Sequence, residues 1–174
     1  MKFNGKWTNY STAVDGSNSV IYVAGGSIEK GSLGDQNFQF EVTNLCYSFH
    51  IEIDINNLAK QIYRWEKQPE MVVARFNHAC IIMQDSVYAF CGADSSNSAL
   101  SSIEILDRRP RAGPYYTRSK PCWRIMQAPE KLIPRELPVV CKLDEQNVLI
   151  MGGLEYGNNK AKDAHIFDVI EESF

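Results

Sequence analysis

Nothing in the sequence comes near the roughly 18 uninterrupted apolar residues of a membrane-crossing helix. The opening residues, MKFNGKWTNYST, lack the apolar core of a secretory signal. These absences lead us to expect a soluble chain with no membrane partner. Closely paired cysteines are missing too. Cys46, Cys80, Cys91, Cys122 and Cys141 are odd in number and widely spread, and none forms a Cys-x-x-Cys. That spacing argues against a disulfide framework or a zinc site. Small buried thiols in a reducing, cytoplasmic compartment fit it.

Catalytic signatures are as scarce. There is no Gly-x-Ser-x-Gly elbow, no Gly-x-x-x-x-Gly-Lys phosphate loop and no His-Glu-x-x-His. The chain has three histidines. His50 and His165 lie four and three residues before Asp54 and Asp168. If those aspartates correspond, the one-residue offset puts the imidazoles on opposite faces of their strands. A shared metal site is therefore not expected, and no cofactor is implied. His78, in ARFNHA, reads as a strand-end histidine, and the paired Glu171 and Glu172 as a solvated tail. Helical periodicity is weak, and no long capped helix is evident.

Net charge is −3 and the pI about 5.6, so general nucleic-acid binding lacks its usual electrostatic support. The basic residues are nonetheless unevenly placed. The stretch RRPRAGPYYTRSKPCWR (108–124) holds six of the 18 Lys and Arg and no acid.

What the sequence does contain is repetition, and repeats decide architecture before anything else. Short apolar runs end on glycines at SVIYVAGG (19–26) and NVLIMGGL (147–154), with a near-copy, SVYAFCGA (86–93), in which Cys91 stands in the first glycine's place. After each comes a β-rich run closing on aspartate: YSFHIEID (47–54), SSIEILD (101–107) and DAHIFD (163–168). Before each comes another: YSTAV (10–14), NHACIIM (77–83) and LPVVCKL (137–143). Tryptophan follows in IYRWEKQPEM and PCWRIMQAPEKL, each trailed by a proline and then an arginine, Arg75 or Arg135. One unit thus reads as four short strands joined by turns, which is how a propeller blade is written. Trp7, Trp65 and Trp123 are evenly spaced by 58 residues, but the other landmarks do not share that interval. Trp7 belongs either to an innermost strand or to the remains of an earlier unit's outer one.

At these residues the sequence resembles the kelch-repeat family. The likeness rests on the doublets Gly25–Gly26 and Gly152–Gly153, on Gly92 after Cys91, on Trp65 and Trp123, and on an arginine before each following inner strand. The tyrosine such repeats often carry before the aspartate is Ile53, Leu106 and Phe167 here. Cys91 would be strained if the doublet's first position needs positive φ. The resemblance implies an all-β chain of kelch-type β-propeller blades, each a four-stranded antiparallel meander, in an incomplete ring. Over residues 1–174 it implies a first blade at about 10–71, a second at about 72–132 and an incomplete third at about 133–174. Three readings of that incomplete ring are open: a part of a longer propeller, copies that associate to complete a ring, and an open stack of blades.

The doublet glycines and the two later tryptophans are expected to be structural. Function is expected at blade-end loops, because the family often docks partner peptides there. The expected role is a non-enzymatic interaction module or scaffold for a protein partner of unknown identity. Loops 27–46, 93–100 and 154–162 share one face with 66–76 and 127–136, where Arg75 and Arg135 would present a cationic rim to an acidic or phosphorylated ligand. Their alternative role is structural pairing with nearby acids. On the opposite face, Arg108, Arg109, Arg111, Tyr115 and Tyr116 would grip phosphate, an acidic protein or single-stranded nucleic acid; otherwise 108–124 is a solvated loop. An enzyme, or the remnant of one, of the sugar-processing or oxidase kind is the remaining alternative, since some kelch-type propellers are enzymes. No convergent Tyr, Cys and His set supports it in this sequence.

Overall fold

The computed structural model describes residues 6–30, 39–54, 56–57, 60–108, 121–126 and 132–174. The described chain is all-β and antiparallel, with one turn of 3-10 helix at Tyr156–Asn158. Three sheets follow one another in chain order. The first contains β1 (Ser11–Asp15), β2 (Val20–Ala24), β3 (Cys46–Ile53) and β4 (Gln61–Lys67), side by side in that order. The second repeats the order with β5 (Ala79–Met83), β6 (Ser86–Phe90), β7 (Ile103–Asp107) and β8 (Trp123–Met126). The third has three strands, β9 (Val139–Lys142), β10 (Asn147–Met151) and β11 (Ala164–Asp168). Short strands at Trp7–Thr8, Ser27–Lys30 and Gln39–Val42 form a side sheet beyond the first.

Each pair of neighbouring sheets closes its own core. Ala13, Val20, Tyr22, Ala24 and Cys46 of the first sheet meet Val87, Ala89, Leu106 and Trp123 of the second. Tyr88, Phe90, Ile103 and Ile105, on the other face of the second, meet Val148, Ile150 and Phe167 of the third. The middle sheet is thus covered on both sides, which is why SVYAF and IEILD are apolar almost without alternation. Burying side chains of this size stabilises by about 1.5–3 kcal/mol each.

Strand pairing fixes which residues are equivalent. Ala24–Cys46, Phe90–Ile103 and Met151–Ala164 are matching rungs between second and third strands. Counting from them, Asp107 and Asp168 correspond to His50, not to Asp54. Asp54 follows a third strand of eight residues, three longer than its counterparts, so the matching of the three aspartates expected from sequence is corrected here. The glycine positions do match. Gly25, Cys91 and Gly152 have φ of 61, 60 and 63°, and Gly26, Gly92 and Gly153 of 93, 92 and 95°. Cys91 is therefore held in a left-handed conformation that costs a residue with a Cβ of order 1 kcal/mol or more.

The first strands are locked side by side. Leu137 N–H donates to Asn77 C=O at 2.6 Å, and Asn77 N–H to Asn9 C=O at 3.2 Å. Residues 9, 77 and 137 share φ of 54, 53 and 54°, so they are one position in three copies. Two places before each stand Trp7, Arg75 and Arg135. Trp7 is in neither of the two places expected of it: it lies in the short strand Trp7–Thr8 of the side sheet, at the arginine position.

Candidate functional site

Arg75 reaches inward from the segment before β5. Its guanidinium donates to the Cys91 carbonyl at 2.8 Å, the Ser102 carbonyl and hydroxyl at 3.1 Å each, and Glu104 at 2.7 Å. Both charged side chains are fully buried. Glu104 also accepts the Val72 and Val73 N–H groups, at 2.6 and 2.9 Å, and so ties the connection from the first sheet to the second. Arg135 repeats the arrangement. It donates to the Gly152 carbonyl at 3.2 Å and bidentately to Asp163 at 2.6 and 2.8 Å, and His165 lies 2.7 Å from the same carboxylate. These bonds, with Arg135 first, hold the Asp163 carboxyl far below its ordinary range. In the first sheet, Trp7 Nε1–H donates to the matching Gly25 carbonyl at 2.7 Å and its ring lies edge-on to Tyr47.

Of the two roles expected for Arg75 and Arg135, the structure shows pairing with nearby acids, and the cationic rim is set aside. The side chains of Arg75 and Arg135 are fully buried, and their terminal guanidinium nitrogens donate to carbonyls, a carboxylate and, for Arg75, the Ser102 hydroxyl, all of their own sheets, while Arg75 Nε is buried without a partner. Arg108 is also committed. It pairs with Asp15 at 2.7 Å and lies over the Tyr22 ring at 5.5 Å, joining second sheet to first. Bonds from Asn18 and Arg108 hold the Asp15 carboxyl below its usual range. Arg109, Arg111, Tyr115 and Tyr116 lie outside the described residues.

Gly26 and Gly92 join their sheets to the next: Gly26 N–H donates to Arg75 C=O at 2.7 Å and Gly92 N–H to Arg135 C=O at 2.9 Å. A Cβ on Gly25 would stand 2.5 Å from both the Arg75 carbonyl and the His78 ring. His78 is wedged there with both ring nitrogens unpartnered, and burial lowers its pKa from 6.5 to about 3. It is an uncharged packing element. Trp123 is buried and donates to the Pro69 carbonyl at 3.0 Å, spanning second and first sheets. Trp65, at the same rung of the first sheet, is 42% exposed and leans on Phe49 at 4.9 Å between ring centroids. Burial pushes the Cys80 and Cys91 thiols up to about 12 and about 11, so neither is a ready nucleophile or metal ligand. His50 bonds Ser48 on the first sheet and His165 bonds Asp163 on the third.

A concave feature lies elsewhere. A cleft of about 670 Å3 opens between the loop ends of the second and third sheets. Its lining combines Asn97, Ser98 and Ala99 with Ile133, Pro134 and Glu136, and with Glu155, Tyr156, Gly157 and Asn159 of the turn. These are three of the loops whose common face the strand alternation had predicted. The walls are set by hydrogen bonds. Asp94 Oδ1 accepts the Ser96 and Ser98 N–H groups at 2.9 and 3.0 Å, and Glu136 and Leu154 exchange backbone bonds at 2.9 and 2.8 Å. Asn77 donates to the Glu136 carboxylate at 2.9 Å. The charges among the lining residues are Glu136 and Glu155, with no cation, and Tyr156 is 94% exposed beside them. Sequence reading missed this site because single glutamates in polar loops carry no pattern until the loops are brought together.

No family model and no curated protein matches the sequence. Among solved structures the chain resembles that of YjhT, with a TM-score of 0.63 and 13% identity, over 98% of this chain and 45% of that one. The likeness is one of fold. The chain spans a little under half the length of that neighbour.

Proposed function

We propose that the chain is a non-enzymatic interaction module built of kelch-type propeller blades, the third with three strands among the described residues, in an incomplete ring. Its docking site is the cleft between the second and third blades, and it takes a basic peptide segment of a protein partner. Support for the blade reading comes from the repeated meanders, the matched φ values of the doublets and the arginine or tryptophan that ties each doublet to its own sheet. The observation that carries the functional reading is the cleft itself, where three loops converge on Glu136, Glu155 and Tyr156 with no opposing cation in its lining. A lysine or arginine entering it exchanges water for charge-assisted bonds of about 1.5–3 kcal/mol each, and the Tyr156 face adds a cation–π contact. A cytoplasmic setting accords with five free cysteines.

The sign of the ligand is the reverse of the one the arginines suggested, because those arginines are already neutralised inside the sheets. The test is fluorescence anisotropy with a labelled panel of lysine- and arginine-containing peptides against matched acidic ones. The expected result is salt-sensitive binding of basic peptides, weakened tenfold or more by Glu155→Lys and several-fold by Tyr156→Ala. Preference for acidic peptides, or binding unchanged by Glu155→Lys, would overturn it.

A further inference from the structure

The two outer faces of the molecule are opposite halves of the interface it uses twice internally. On the second sheet, the row Ile82, Val87, Leu106, Trp123 packs against the first sheet. The equivalent row of the first sheet is Val14, Ile21, Phe49, Trp65, on the face turned away from the second. It keeps the same apolar character and the same tryptophan, yet Val14 is 65% exposed and Trp65 42%. The far face of the third sheet shows Val139, Met151 and Ile166, 53, 37 and 53% exposed, at positions that on the second sheet are packed or buried.

The backbone carries the same message. Gly26 and Gly92 each donate to the carbonyl at the arginine position of the following sheet, but Gly153 N–H has no partner among the described residues. A Cβ on Gly152 would meet nothing within 4 Å among the described residues, whereas one on Gly25 would meet the next sheet's Arg75 carbonyl and His78 ring. The ladder through residues 137, 77 and 9 also ends openly, with the Leu137 carbonyl and the Asn9 N–H unused among the described residues.

We propose that a second copy of this chain covers these faces head to tail, its first sheet on the third sheet of its partner copy. The second copy's Asn9 N–H would meet the Leu137 carbonyl and continue the ladder that the chain makes internally. This occupant is favoured because one surface supplies what the other lacks, so a single kind of chain satisfies both. Two copies would span about nine-tenths of the length of the fold neighbour, each matching 45% of it, which suits closure into a pair rather than a filament. The proposal does not depend on which partner enters the cleft.

Size-exclusion chromatography with light scattering on the full chain tests it. The expected mass is a discrete species of about twice 19.7 kDa. Val14→Asp and Ile166→Asp alter opposite faces at exposed positions, and each should give a monomer with an unchanged circular dichroism spectrum. Mixed together they should pair again, since one copy's intact first sheet meets the other's intact third. A monomeric wild type overturns the proposal. So does a dimer broken by only one of the two changes, which marks a symmetric contact of like faces. A mass that climbs without limit as concentration rises overturns closure into a pair.

Discussion

At equivalent places the second sheet buries Arg75 against Glu104, and the third ties Arg135 to Asp163. The difference is in what covers the acid. Glu104 is sealed, with Val72 N–H, Val73 N–H and Arg75 all donating to it, whereas Asp163 stays 32% exposed. The first sheet meets the same need with no charge, using Trp7 against Tyr47. One structural task, holding the carbonyl at the head of the doublet, is thus done by an ion pair in full burial, by an ion pair at the edge and by an aromatic pair. A buried ion pair pays a large desolvation cost, so its formation adds little net stability, but removing one partner strands the other.

That contrast ranks the expected losses. Glu104→Ala should lower stability by about 3–5 kcal/mol in urea unfolding, since it leaves a buried guanidinium and two amides without their acceptor. Asp163→Ala should cost less, about 1–3 kcal/mol, because water can reach the abandoned site. Equal losses would erase the distinction between the two clusters.

Acid provides a second way to probe the comparison. His78 titrates near 3 when folded against 6.5 when unfolded, because burial disfavours the imidazolium and Arg75 adds repulsion. The unfolded chain therefore binds the extra proton between those values. The stability from His78 is complete above about pH 6.5 and is lost as pH falls toward 3, by up to about 1.4 kcal/mol per unit. Urea unfolding across that range should show the slope, and His78→Phe should flatten it. Asp163, whose pKa is also depressed, adds a further loss at lower pH still.

The tryptophans sharpen the picture at smaller scale. Trp123→Ala should cost about 3–5 kcal/mol as a buried aromatic truncation. Trp65→Ala, measured at a dilution where the chain is monomeric, should cost less than half of that. Smallest of all is Cys91→Gly, which relieves left-handed strain of order 1 kcal/mol but removes a buried thiol; a net change within about 1 kcal/mol is expected.

Much of the strand order was legible because glycine doublets and apolar runs are local signals. The positive φ at Cys91 followed from its alignment with Gly25 and Gly152. For the arginines, the role was legible but the partners were not. Pairing with an acid was one of the two roles expected of Arg75, but Arg75 and Glu104 are 29 residues apart, and nothing in either neighbourhood announces which acid is the partner. Asp54 misled for a different reason, since a longer third strand moved the aspartate beyond its counterparts. The cleft was half visible. Its loops were placed on one face by alternation, but its carboxylates were not singled out.

The most direct test of the claim that these arginines are internal struts is a double-mutant cycle in urea with Arg75→Met, Glu104→Leu and both together. Each single change is expected to cost about 3 kcal/mol or more, and the double well under their sum, with a coupling of about 2 kcal/mol or more. Additive losses, or an Arg75→Met loss below about 1 kcal/mol, would contradict it and return Arg75 to the surface as a docking residue.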